Sequence, residues 1–194
     1  MASDNTSIRQ ARETDVPGIL EIYNDAILNT TALYTYDPFT LPMMQQWFKE
    51  KKAKALPVFV AVEGEGGVAS AAGESKTAAA VEARIAGFAS YGPFRPWPAY
   101  KYSVEHSIYV HKDQRGKGIS KKLLRMLIDH ASADSLHTIV AGIDSQNEVS
   151  INLHRQFGFK ETGQIAQVGY KFGRWLDLVF MQLILENNLQ PNEK

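Results

Sequence analysis

The 194-residue chain contains no cysteine, which excludes disulfides, thiolate metal sites and a protein thiol nucleophile together. It also lacks net charge: Lys plus Arg and Asp plus Glu each number 21. No global field therefore draws it to nucleic acid or to an anionic membrane, and neither is an expected partner. Long apolar runs are missing too. The opening MASDNTSIRQ is polar and nothing of membrane-spanning length follows, so the expectation is a soluble, cytoplasmic protein. His111, His130 and His137 show no HxxxH or HxH spacing with carboxylates, and no metal site is expected.

What is present suits one core of ordinary size, with 44% hydrophobic residues. A single domain is expected over 7–186, after a disordered start at 1–6 and before a frayed tail at 187–194. Ser7 to Ala11 reads as a short strand. Thr14 or Asp15 then caps a helix with Val16, Ile19, Leu20, Tyr23 and Ile27 at helical spacing. Leu41-Pro42 opens a second helix with Met44, Trp47 and Phe48 on one face, ended before Pro57. VFVAV at 58–62 and IAGFASY at 85–91 read as the two strands of a hairpin. Between them, 64–83 is rich in Gly, Ala and Ser and reads as a mobile loop insertion, with a lid as the alternative. The alternation continues with a strand at 104–110, a helix at 118–130, a strand at 138–143, and a short helix at 148–157 closed by Gly158. Strands around 164–168 and 176–185 end it.

The segment SIYVHKDQRGKGISKKLLRMLI sets an apolar strand, a Gly-rich turn with Arg115 and Lys117, and an amphipathic helix in succession. A helix start has unpaired amides and the positive end of the dipole, so it can hold a pyrophosphate by backbone alone. Gly116 and Gly118 let that backbone come close. The plainer alternative is a turn with a solvated basic face. The GxxxxGK[ST] run is absent and the glycines do not make the spacing of a Rossmann turn.

This turn resembles the coenzyme A loop of the GCN5-related N-acetyltransferases (GNAT), Gln/Arg-x-x-Gly-x-Gly/Ala, with Arg115, Gly118 and Ser120 at the specified positions. Ser120 departs from Gly or Ala; its side chain either crowds the pyrophosphate or adds a hydrogen bond to it. DSQNEVSINLHRQFGF resembles the second coenzyme-facing segment of the same superfamily. The stretches IYNDAILNTTALY, YGPFRPWPAYKYSVEHSIYVHKDQRGKGIS and VGYKFGRWLDLVFMQL are similar to the phosphinothricin and methionine sulfoximine N-acetyltransferase group. The resemblance implies an α/β fold with a central, mostly antiparallel sheet flanked by helices, acetyl-CoA as co-substrate, a small amino-acid-like acceptor and a homodimer. Acetyl-CoA would be held by Ile108, Tyr109 and Val110 along the strand and by Arg115, Gly116, Lys117, Gly118, Ile119 and Ser120 in the loop. Asn147 would bond the pantetheine arm or cap its own helix.

Glu105, at the start of the strand leading to the loop, would be the general base, against the alternative of a surface or ion-paired carboxylate. His106 would face the other way and be structural. His154 stands where many of the superfamily carry a Tyr that protonates the leaving thiolate. An imidazole there can donate a proton, orient a neighbour, or simply pack its helix. For the acceptor, Arg95 in FRPWPAY would clamp an α-carboxylate between Phe94 and Trp97, or else only stack on those rings. Thr30, Thr31 and Tyr34 would recognise a tetrahedral phosphinyl, sulfone or sulfoximine group, or form no more than a helix-ending turn. A non-catalytic acyl-CoA-binding module, and acetylation of a polyamine or peptide N-terminus, are the alternative functions.

Overall fold

The computed structural model describes residues 6–64, 84–186 and 191–193. The 64–83 insertion, the extreme N-terminus and most of the tail thus lie outside the described residues. The elements in chain order are β1 (Thr6–Gln10), α1 (Val16–Asn29), α2 (Leu41–Ala53), β2 (Val58–Glu63), β3 (Arg84–Pro93), β4 (Ser103–Val110), α3 (Ile119–Ala133), β5 (Thr138–Asp144), α4 (Glu148–Gln156), β6 (Lys160–Lys171) and β7 (Arg174–Ile184). They form one seven-stranded sheet in the order β1-β2-β3-β4-β5-β7-β6. The β4–β5 pair is parallel and the other pairs are antiparallel. The expected mixed, mostly antiparallel sheet is what the chain adopts. The β6–β7 hairpin is the one place where the strands run well beyond the expected bounds.

Local chemistry explains most boundaries. Thr40 caps α2 by accepting from the Met43 amide, and Pro42 sits in its first turn, where its missing N–H costs nothing. Asp15 precedes α1 but caps nothing with its side chain. Its carboxylate instead takes Arg9 at 2.6 and 3.0 Å and the Arg12 amide at 2.7 Å, tying β1 to the start of α1. Gly158, at φ +86°, ends α4 in the left-handed region that favours glycine.

Each face of the sheet carries its own core. On one side α1 and α2 bury Ile19, Ile22, Met44 and Phe48 against Val58, Val60, Phe88 and Tyr109. On the other, Leu123, Leu124 and Leu127 of α3 and Ile151 of α4 pack on Phe59, Ala89, Ile139 and Met181. Strand alternation therefore sends odd-numbered side chains of β4 toward α1 and α2, and even-numbered ones toward α3 and α4. That division decides what Glu105 and His106 can touch.

Candidate active site

β4 and β5 pair only at Ser103–Thr138, Val104–Ile139 and Glu105–Val140. Across the β3–β4 side, Phe94 N–H donates to Ser103 O and His111 N–H donates to Ala86 O. Odd-numbered residues of β4 thus turn their backbone to β3, and even-numbered ones turn it to the β5 side. Past Glu105 that side has no strand among the described residues. Ile108 therefore presents N–H and C=O, and Val110 its N–H, to an open edge, the arrangement that lets an extended ligand add as a strand, while Val110 O accepts from Arg115 Nε at 3.5 Å. Tyr109, expected beside them, has its backbone turned to Phe88 instead.

The Gly-rich turn follows directly. Gly116 and Gly118 have φ of +78° and +76°, so both occupy the left-handed region that favours glycine. Gly118 is the residue before α3 and offers no side-chain cap. Among the described residues, the amides from Arg115 to Ser120 have no backbone acceptor outside the helix itself, which leaves the first turn of α3 open to an anion. The Arg115 side chain bends back to Asp25 of α1 at 3.2 Å, and the Lys117 ammonium bonds the Gln114 side chain. The turn is therefore braced by its own cations. Ser120 stands half-buried in the first turn of α3.

Glu105 faces a cavity of about 120 Å³ between the sheet and the first two helices. Ser107 and Tyr109 of β4, Phe88 and Ser90 of β3, Tyr23 of α1, Trp47 and Lys51 of α2, and Leu33 beyond α1 also line it. A wider, open groove of about 500 Å³ runs along α2 by Phe39, Met43 and Trp47 but holds none of the expected reacting groups. The smaller cavity is where chemistry can occur. Burial raises the Glu105 pKa above the ordinary carboxylate value and nearby Arg95 pulls it back in part. The carboxylate is 39% exposed, and its nearest cation is Arg95 Nη1 at 4.0 Å. It is thus neither tightly ion-paired nor fully solvated, a fitting state for a base.

Arg95 lies at the rim, with its guanidinium 4.1 Å from the Phe94 ring centroid and one N–H donated to Phe94 O at 2.7 Å. Trp97 is 70% exposed and makes no wall of the cavity. Thr30 closes α1 by donating to Ala26 O at 2.7 Å and accepting from the Ala32 amide. The Thr31 hydroxyl bonds the Asp144 carboxylate. Tyr34 lies against Gly169, where a β-carbon would come within 2.6 Å of its ring. These three side chains therefore already have partners within the chain. Asn147 caps α4 by accepting from the Ser150 amide at 3.1 Å.

His154 is brought to His106, on the opposite side of the sheet from Glu105. The rings stack at 5.0 Å, and Nε2 stands 3.0 Å from Nε2. Ser150 O, 2.7 Å from His154 Nδ1, can only accept, so that nitrogen carries the proton and His154 Nε2 accepts from His106. This leaves His106 Nδ1 bare, and it is indeed a buried atom with no hydrogen-bond partner among the described residues. Of the roles open to His154, orienting and packing fit this arrangement and proton donation does not.

Burial, then His154, pushes the His106 pKa down to about 3, and burial lowers that of His154 against the opposing bond to Ser150 O. Unfolded imidazoles titrate near about 6.5, so below that pH the unfolded chain binds more protons than the folded one. Stability is complete above that value and lost as pH falls toward the folded values, by roughly 1.4 kcal/mol per pH unit for each neutral ring. The urea midpoint is expected to fall between about pH 6.5 and pH 5.5, a window in which ordinary carboxylates barely titrate. An unchanged midpoint there would mean that the pair accepts protons without cost.

The sequence reading passed over Lys51 and Leu33. Lys51 lies four residues beyond Trp47 and seven beyond Met44, on the apolar face of α2. That misplaced cation was the available signal. Leu33 carried none, because only the path of the loop after α1 brings it to the cavity.

Comparison with known proteins agrees with this geometry. Residues 20–159 match the Acetyltransferase (GNAT) family. The chain is 48% identical over 182 residues to an L-methionine sulfoximine/L-methionine sulfone acetyltransferase of Pseudomonas aeruginosa, spanning 94% of this chain and 96% of that one. It is 42% identical over 186 residues to the L-amino acid N-acyltransferase MnaT of Escherichia coli, spanning 96% and 98%. A GNAT phosphinothricin acetyltransferase from Sinorhizobium meliloti, solved in complex with acetyl-CoA, superposes with a TM-score of 0.84 at 33% identity, covering 97% of this chain and 94% of that one. With the parted strands, the left-handed glycine turn and these likenesses in agreement, the chain belongs to the acetyltransferase (GNAT) family.

Proposed function

We propose that this chain acetylates the amino group of a small amino acid or an analogue of the methionine sulfone, methionine sulfoximine or phosphinothricin type, with acetyl-CoA as co-substrate. The observation that carries the reading is Glu105, a half-buried carboxylate of raised pKa standing where β4 and β5 part. The names of the relatives support the acceptor class.

Acetyl-CoA supplies an acetyl group already activated as a thioester. The amides at the start of α3 and the turn from Arg115 to Ser120 would hold its pyrophosphate, and Ile108 and Val110 would pair with the pantetheine arm. One of those two amides would donate to the thioester carbonyl and polarise it. Glu105 would take the proton from the acceptor ammonium, directly or through one water, because only the neutral amine attacks. Arg95, kept in place by Phe94, would take the α-carboxylate. His154 would set the position of β4 through His106, and Asn147 would fix the start of α4 beside the arm.

A homodimer is proposed on the exposed apolar row Ile165, Val168, Tyr170, Phe172 and Trp175 of the β6–β7 hairpin, since a patch of this kind on a projecting hairpin is costly in water. Light scattering is expected to give twice the 21.6 kDa chain mass, and a monomer mass overturns the dimer. We place the protein in the cytoplasm; among the described residues no helix is long and apolar enough to cross a membrane.

Thiol release from acetyl-CoA, assayed against methionine sulfone, methionine sulfoximine, phosphinothricin, ordinary amino acids and a polyamine, tests the reaction. Release with the first three is expected. No release with any acceptor would leave a coenzyme-binding module, and release with the polyamine alone would replace the acceptor class.

A further inference from the structure

We propose that Lys51 reads the acceptor's side chain, its ammonium donating to the tetrahedral oxo group (sulfone, sulfoximine or phosphinyl) inside the cavity that Glu105 also lines. This rests on the transferase reading and adds the residue that sets its specificity. The Lys51 Nζ donates to Tyr91 O at 2.7 Å, and that is its one hydrogen-bond acceptor among the described residues, although an ammonium carries three donors. Burial pushes its pKa from 10.5 down to about 8, with Lys54 adding to the effect. An ammonium half withdrawn from water with donors to spare is stabilised by an oxygen entering beside it.

The two charges line one cavity from different elements. Lys51 leans over β3, where a β-carbon at Gly92 would stand 3.3 Å from Nζ. Glu105 leans the other way, toward β5, where a β-carbon at Gly142 would stand 3.2 Å from Oε1. With Arg95 only 4.0 Å from Glu105, the acceptor's amine and α-carboxylate belong at that end. The cavity as a whole, about 120 Å³ with Glu105 in its wall, is roughly four water volumes at about 30 Å³ each, enough for a short side chain. Tyr23, Trp47 and Phe88 wall it with rings that suit methylene groups, and Lys51 is the cation in its lining. The hydroxyls of Thr30 and Thr31, by contrast, are already bonded within the chain.

The test compares methionine sulfone with methionine, which differ only in the two oxo atoms, as acceptors for the wild type, Lys51→Met and Lys51→Arg. Lys51→Met is expected to lose roughly 10- to 100-fold in kcat/KM for the sulfone, mainly through KM, as for a lost hydrogen bond to a charged group. Its loss for methionine should be smaller, so that the sulfone-to-methionine ratio of kcat/KM falls, and Lys51→Arg should keep part of the preference. A folded Lys51→Met that discriminates as the wild type does overturns the proposal. If the wild type acetylates neither compound, the transferase reading falls by itself and calorimetric titration with methionine sulfone decides for Lys51. Weaker binding to Lys51→Met than to wild type then supports the oxo site; equal or absent binding overturns it.

Discussion

Glu105→Gln is expected to lower kcat by roughly 10²- to 10⁴-fold, the range of a lost general base, while leaving the KM for acetyl-CoA nearly unchanged. Glutamine keeps the size of the side chain and one acceptor oxygen, but its amide cannot take the proton. The wild type should show an acid limb in kcat/KM above the usual carboxylate range, because burial raises the Glu105 pKa. That limb should vanish in the variant. Removing the opposing cation is an internal check on the assignment: Arg95→Gln should move the limb to higher pH, since Arg95 holds the Glu105 pKa down. Undiminished turnover in Glu105→Gln would transfer the proton to solvent or to another group and remove the observation on which the mechanism rests.

Lys171→Met is expected to cost about 2–4 kcal/mol of stability, the scale of hydrogen bonds lost from a charged donor. The Lys171 side chain is 4% exposed, and its ammonium donates to Ile27 O at 2.6 Å, Thr30 O at 2.9 Å and Leu33 O at 2.8 Å. It thus closes the C-terminal end of α1, where carbonyls lack helical partners and the dipole is negative. Methionine would fill the space and leave all three carbonyls unpaired. The measurement is thermal unfolding, with Tm expected to fall roughly 5–15 °C for a chain of this size. A Tm within about 2 °C of wild type would show that the clamp contributes little. Because Leu33 lines the cavity, the surviving fold should also show a raised KM for the acceptor and an unaltered one for acetyl-CoA.

These two residues mark how far the sequence was legible. Glu105 could be named as a candidate base because it lies on the strand that leads straight into the Gly-rich turn. The turn was readable because glycine spacing and a following amphipathic helix are local properties, while the left-handed φ at Gly116 and Gly118 is a further requirement that spacing did not reveal. Lysine is so seldom buried that nothing local singled out Lys171, and Lys51 showed only as a cation on the apolar face of α2. Both are drawn inward by backbone carbonyls from distant elements, Ile27, Thr30 and Leu33 for one and Tyr91 for the other. His154 shows the reverse. Its chemistry suggested an acid, yet its neighbours, Ser150 O and His106 Nε2, occupy both of its nitrogens.

By itself the sequence determined the order of strands and helices, the Gly-rich turn before α3 and the position of the carboxylate on its strand, because periodicity, capping and glycine conformation act within a few residues. Only the tertiary structure decided that β4 and β5 part after Glu105, that the Thr30 and Thr31 hydroxyls are spent on the chain's own groups, and that two lysines point inward. Those outcomes depend on which surfaces meet across the sheet. Burial, desolvation and the choice of hydrogen-bond partner belong to the packed whole, and no local stretch of residues contains them.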